Sequence, residues 1–178
     1  MVSETLKIAQ LGNPILRQHT QRVNNLLDER LQQLIDHLIA TATAANGVGI
    51  AAPQVSQSYR LFIVASRPNL RYPHAPLMEP TAMINPAIIS HDTEIVKDWE
   101  GCLSIPGIRG LVPRYSRIEV EYTNRYGQYQ RQQLTDFVAR IFQHEYDHLD
   151  GIVFLDLVES TQEMMTEEEY QKQIIANL

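Results

Sequence analysis

Gln143-His-Glu-Tyr-Asp-His148 lies inside a run that starts at Asp136, a helix-capping residue type, and stops at Gly151. The run predicts a helix reaching to about Asp150. Residues four apart on a helix share a face, so His144 and His148 can point at one ion. Glu145 follows about 100° round the helix, near enough to reach a water held by that ion. This is the HExxH pattern of metal hydrolases. The competing reading is a solvated surface helix that carries two histidines at this spacing by chance.

Outward from the helix, the question is the third ligand. One class of metalloprotease continues HExxHxxGxxH. Here Gly151 stands at the correct offset, but the next ligand position is Phe154, which cannot bind a metal. Another class takes a downstream glutamate. Glu159, Glu163, Glu167, Glu168 and Glu169 are available, but they belong to a tail that reads as a separate acidic helix over about 160–178. His19, His37, His74 and His91 lie in ordinary contexts. Cys102, the single cysteine, occurs in Trp99-Glu-Gly-Cys-Leu-Ser-Ile-Pro-Gly107, after a strand and before a Pro-Gly turn. A lone cysteine is more often a small buried hydrophobe than a ligand. The residues by themselves leave the third ligand open.

The rest of the chain predicts an α+β fold. Leu27, Leu31, Leu34, Ile35, Leu38, Ile39 and Ala42 recur at helical spacing over 26–45, with Asn46 and Gly47 as the stop. Gly47–Gln54 reads as a loop, Arg60–Ala65 as a strand and the proline-rich 66–82 as an irregular exposed connection. Met83–Ser90 and Thr93–Asp98 read as strands. Arg117–Thr123 and Tyr129–Leu134 alternate around Asn124-Arg-Tyr-Gly127 and predict a hairpin. Val153–Val158 reads as short and extended. Thr166 with Glu169 three residues on predicts a capped final helix. A run of strands between an N-terminal and a later helix is α+β, not alternating βαβ.

The 178 residues fit one domain, 1–178. Apolar residues make up 44% and charged residues 20%, an ordinary globular composition. A formal net charge of −6 without a basic stretch argues against nucleic-acid binding through a basic face. One cysteine excludes an internal disulfide framework. No apolar run approaches the about 18 residues of a membrane span. MVSETLKIAQ does not read as a secretory signal, so a cytoplasmic protein is expected, with an organellar one after transit-peptide removal left open.

Three stretches together carry a resemblance. Gly47-Val-Gly-Ile-Ala-Ala-Pro-Gln54, Glu100-Gly-Cys-Leu-Ser104 and Gln143-His-Glu-Tyr-Asp-His148 resemble, in order and separation, the signature motifs of peptide deformylases. With the N-terminal helix and Leu111-Val-Pro-Arg114, the similarity covers nearly all of 6–158. It implies antiparallel sheets around a central helix carrying HExxH. It implies one divalent ion per chain on Cys102, His144 and His148, with water in the fourth position; Fe²⁺ is favoured, and Zn²⁺, Ni²⁺ or Co²⁺ are alternatives. The implied reaction removes the N-formyl group from the methionine of newly made polypeptides and releases formate. Glu145 is then the proton shuttle. The Gln54 amide and the Leu103 N–H stabilise the oxyanion.

The resemblance also implies substrate contacts. Gly47, Val48 and Gly49 would let an extended substrate backbone approach. Arg109 would lie near that backbone, and Glu100 with Arg114 would form an ion pair behind the site. Phe137, Arg140 and Ile141 would line the side-chain pocket. Two features depart from the family: Arg140 and Asp98 are polar where apolar residues are usual. They are expected at the pocket mouth as a pair, with an Arg140–Asp136 helix pair as the alternative. The acidic tail puts ribosome docking in doubt, since ribosomal RNA would repel it. The competing functions are a metallopeptidase cutting internal bonds and a non-catalytic module with a structural metal.

Overall fold

The structure is a computed structural model and describes residues 4–177. Helix α1 spans Glu29–Ala44. The Asp28 side chain caps it by accepting from Arg30 and Leu31 N–H. Its C-terminus is a Schellman motif. Asn46 takes φ 52°, Gly47 N–H donates to Ala42 C=O at 2.8 Å, and Asn46 N–H donates to Thr43 C=O at 3.2 Å.

The predicted loop 47–54 is in fact structured. Strand β1, Gly49–Ala51, pairs antiparallel with β2, Leu61–Val64, and Ala52–Val55 form a 3-10 turn. β1 is too short and too fully buried to show alternation. β3, Thr81–His91, runs through Pro86 at a register irregularity, with Asn85 at φ 50°. β6, Arg117–Thr123, and β7, Tyr129–Thr135, are the expected hairpin. These five strands form one antiparallel sheet, ordered β1-β2-β3-β6-β7.

A second, three-stranded sheet is ordered β4-β5-β8. β4 spans Ile95–Cys102 and β5 spans Ile105–Tyr115. The expected turn at Pro106-Gly107 lies inside β5; the chain reverses one step earlier, at Leu103-Ser104, where Cys102 pairs with Ile105. β5 tolerates Pro106 and Pro113 because β8, Met164–Thr166, pairs only with 108–110. Outside that stretch one side of β5 needs no N–H.

Helix α2, Asp136–Leu149, carries His144, Glu145 and His148 and packs against strands of both sheets. Phe62 and Phe142 meet edge to face at 5.1 Å in the core between α2 and the larger sheet. Gly151, at φ 75°, ends the helix in a second Schellman motif through Ile152 N–H to Asp147 C=O. Phe154–Leu157 form a 3-10 turn, not an extended segment. The tail is not one helix over 160–178. It comprises a 3-10 turn at Thr161–Glu163, β8, helix α3 at Glu167–Gln173 and a last turn at Ile175–Asn177. Thr166 caps α3 by accepting from Glu169 N–H, as the capping pattern predicts.

Candidate active site

Among the described residues, one potential ligand atom from each of Cys102, His144 and His148 falls within 4.8 Å of the others, and all three residues are buried. Cys102 ends β4, and the histidines share a face of α2. His148 Nε2 lies 3.3 Å from Cys102 Sγ. The two imidazoles are 5.2 Å apart and nearly perpendicular. Phe154, at the position that excluded a third histidine, stacks on the His144 ring.

Behind His144 stands a buried ionic group. His144 Nδ1 lies 2.8 Å from Glu100 Oε2, so Nε2 is the ring nitrogen left to meet Cys102 or an ion. Arg114 donates to both Glu100 oxygens, at 2.9 and 3.0 Å, and to Asp147 at 2.6 Å. Burial by itself would raise the Glu100 carboxyl. The Arg114 charge and the bonds from His144 and Arg114 override burial and hold it far below the usual carboxylate range. Burial likewise opposes charge on Arg114, and the neighbouring carboxylates win.

Arg140 belongs to this group. It donates to Glu100 Oε1 at 2.9 Å and to the Val112 and Val96 carbonyls at 2.9 and 2.7 Å. The expected partners are therefore wrong. Asp98 is exposed and accepts from the Trp99 N–H, and Arg140 reaches only its backbone carbonyl. No Arg140–Asp136 pair forms either. A guanidinium on the inward face of α2 meets a buried carboxylate and two carbonyls before it can reach solvent-side acids. Arg140 still lines the cleft with Phe137 and Ile141.

Glu145 is buried, and its Oε2 has no hydrogen-bond partner among the described residues. Burial raises its carboxyl to about 7, partly offset by the charge on His144. His148 is pushed well below its usual value by burial and by the charge on His144, which favours the neutral ring that a metal needs. Burial works against charge on His144, but hydrogen bonds to Cys102 and Glu100 raise it well above the usual histidine value. An ion binding to these donors would displace that proton. A cysteine sulfur, two imidazoles and an unpaired carboxyl oxygen in the same cleft fit a divalent transition metal with an open position.

Gln54 is buried in the 3-10 turn after β1. Its Oε1 accepts from Ala51 N–H at 2.8 Å, which fixes the amide orientation. Its Nε2 then donates to Cys102 Sγ at 3.4 Å and Ser104 Oγ at 3.1 Å. Leu103 sits in the β4–β5 turn and lines the same cleft, as do Gly47, Val48 and Gly49. β1 is an edge strand of the larger sheet. Gly49 has a further reason to be glycine: a Cβ there would lie 2.5 Å from Glu145 Oε1.

Arg109 lies in the cleft wall, only 2% exposed at its side chain. Its guanidinium packs on Gly101, where a Cβ would come within 2.8 Å of Cζ. Residues to which the sequence assigns no place in the site complete the wall: Arg71 and Tyr72 from the proline-rich connection, Ile105 and Ile108 from β5, and Glu167, which the sequence offers only as a glutamate of the acidic tail. Nothing in the composition of 66–82 or of the acidic tail signals that these segments return to the cleft.

A family model described as polypeptide deformylase matches residues 5–164. The chain belongs to the peptide deformylase family. It is 70% identical to peptide deformylase 2 of Nostoc sp., over 99% of both chains. It is 46% identical to peptide deformylase 2 of Shewanella oneidensis, over 96% of this chain and 94% of that one. Among solved structures, the class I type b peptide deformylase of Acinetobacter baumannii bound to Met-Ala-Ser is similar at TM-score 0.85 and 44% identity, covering 88% of this chain and 99% of that one. Deformylases of this family are metal-dependent hydrolases that remove the N-formyl group from N-terminal methionine, and this chain is one of them.

Proposed function

We propose that residues 1–178 act as one catalytic unit in which Cys102, His144 and His148 hold the metal, Fe²⁺ by preference, with Zn²⁺, Ni²⁺ or Co²⁺ as substitutes. A bound divalent ion supplies Lewis acidity and lowers the pKa of water, so that water can attack near neutral pH. Glu145 takes the proton from the attacking water and hands it to the departing amine. The observation that carries this reading is Glu145 itself: a buried carboxyl lining the same cleft as Cys102 and His144, with Oε2 unpaired among the described residues. A closed structural site has no use for it.

The negative charge that develops on the formyl oxygen falls to the Gln54 amide and the Leu103 N–H. Gln54 is held by Ala51 and must trade its bond to Ser104 for one to substrate. The substrate backbone extends along the free edge of β1 at Val48 and Gly49. Its first side chain enters between Phe137, Ile141 and the stem of Arg140. Glu100, with both oxygens taken by Arg114, Arg140 and His144, orients His144 instead of touching substrate.

In this reading the enzyme works on nascent chains in the cytoplasm, and its tail does not dock on the ribosome. Lys97 is bound by Glu159 and Glu163, and α3 carries three glutamates against Lys172. Among the described residues, no helix is long and apolar enough to cross a membrane. The test of the site is Glu145→Ala. The variant keeps its metal stoichiometry and loses formate release; retained turnover contradicts the proton-shuttle role.

A further inference from the structure

The tail brings Glu167 to the cleft, and this residue lies beyond the 5–164 matched by the family model. β8 pairs with β5, setting Arg109 opposite Met165, and Glu167 follows as the first residue of α3. Its carboxylate meets the Arg109 guanidinium side-on: Arg109 Nε donates to Oε2 at 2.6 Å and Nη2 to Oε1 at 3.3 Å. The third nitrogen, Nη1, donates to the Tyr72 hydroxyl at 2.7 Å. The Tyr72 and Tyr170 rings flank the guanidinium at 5.2 and 4.8 Å. Every nitrogen of this cleft-wall cation therefore has a partner from the protein. Arg71 Nε stands 3.9 Å from the same carboxylate.

The guanidinium rests on Gly101, the residue before Cys102. A short extended peptide rises about 3.3 Å per residue. Glu145 and Arg109 line the same cleft, so a peptide whose formyl group is at Glu145 shares it with the guanidinium. Short peptides end in a carboxylate, whereas a nascent chain continues as uncharged backbone. An unoccupied arginine in the wall would bind that carboxylate side-on.

Resting on the deformylase reading, we propose that Glu167 determines specificity: by occupying Arg109 it denies the guanidinium to a substrate carboxylate. The cleft then favours formyl peptides whose chain continues over short ones with a free acid end. Without Glu167, Arg109 and Arg71 leave two cations facing the cleft, and the preference shifts toward acids.

The experiment compares kcat/KM for formyl-Met-Ala-Ser as the free acid and as the C-terminal amide, in metal-loaded wild type, Glu167→Gln and Glu167→Asp. Glu167→Gln shifts the acid-to-amide ratio toward the acid by about five- to tenfold, chiefly through KM, as expected for one charge at a partly screened site. Glu167→Asp keeps the charge and stays near the wild-type ratio. Inhibition of wild type by Met-Ala-Ser, acid against amide, gives an independent reading: the acid is the weaker inhibitor. An unchanged ratio in Glu167→Gln, including an equal loss on both substrates, overturns the proposal, and so does an acid that inhibits wild type better than the amide. Failure of wild type to cleave either substrate would instead refute the deformylase reading.

Discussion

Gly49 and Glu145 touch so closely that a methyl group on Gly49 would sit 2.5 Å from the Glu145 carboxylate. Edge strand β1 and helix α2 are fitted to each other at this point, and in the proposed mechanism the first receives substrate and the second supplies the proton shuttle. Gly49→Ala must push Glu145 aside. A displacement near 1 Å at a reacting group costs on the order of 100-fold in rate. The variant is expected to lose about that much in kcat/KM and to retain its bound metal, by kinetics and metal analysis.

Glu100 holds His144 through Nδ1 while two arginines hold Glu100. Glu100→Gln removes the anion and leaves two buried guanidiniums facing an amide. Partners of this kind are worth about 10- to 100-fold in metal affinity. Competition with a chelator should show a loss of that size, and an unchanged affinity would deny Glu100 its orienting role.

Arg140 is a buried cation bonded to Glu100 and two backbone carbonyls, and it also lines the cleft. Arg140→Met strips a donor from Glu100 and leaves the Val96 and Val112 carbonyls short of one. Arg114 and His144 still hold Glu100, so the expected destabilisation is about 2–4 kcal/mol, below that of a fully orphaned buried charge. Urea unfolding measures it.

Burial lifts the Glu145 carboxyl from 4.5 to about 7. The metal-free folded protein therefore binds this proton more tightly than the unfolded chain does. The stability this contributes is fully present below about pH 4.5 and is lost as pH rises through about 7. Glu145→Gln has no such proton to lose. Metal-free wild type should fall behind metal-free Glu145→Gln across that window, by up to about 3 kcal/mol above it. Chemical unfolding at several pH values would detect the divergence; parallel profiles would contradict it.

Much of this was legible in the sequence where local signals and tertiary structure agree. The apolar spacing and Asn46-Gly47 define α1, and Asn124–Gly127 defines the β6–β7 hairpin. His144 and His148 share a face because any helix puts them there. β5 was hidden because Pro106, Gly107 and Pro113 look like breakers, and only the short reach of β8 makes them tolerable. The partner of Arg140 was misjudged because helix spacing reports neighbours on one element, while Glu100 arrives from another. Glu167 reads as one more acid in a solvated tail until β8 pairs with β5 and carries it to Arg109.

The central claim is that this centre hydrolyses a formyl amide. The most direct measurement offers formyl-Met-Ala-Ser amide and an unformylated peptide to protein purified anaerobically with about one iron per chain. Formate should be released from the first in step with a new free amine, and the second should stay intact. Iron-loaded protein that releases no formate, or that cuts internal bonds of the second peptide, would contradict the account.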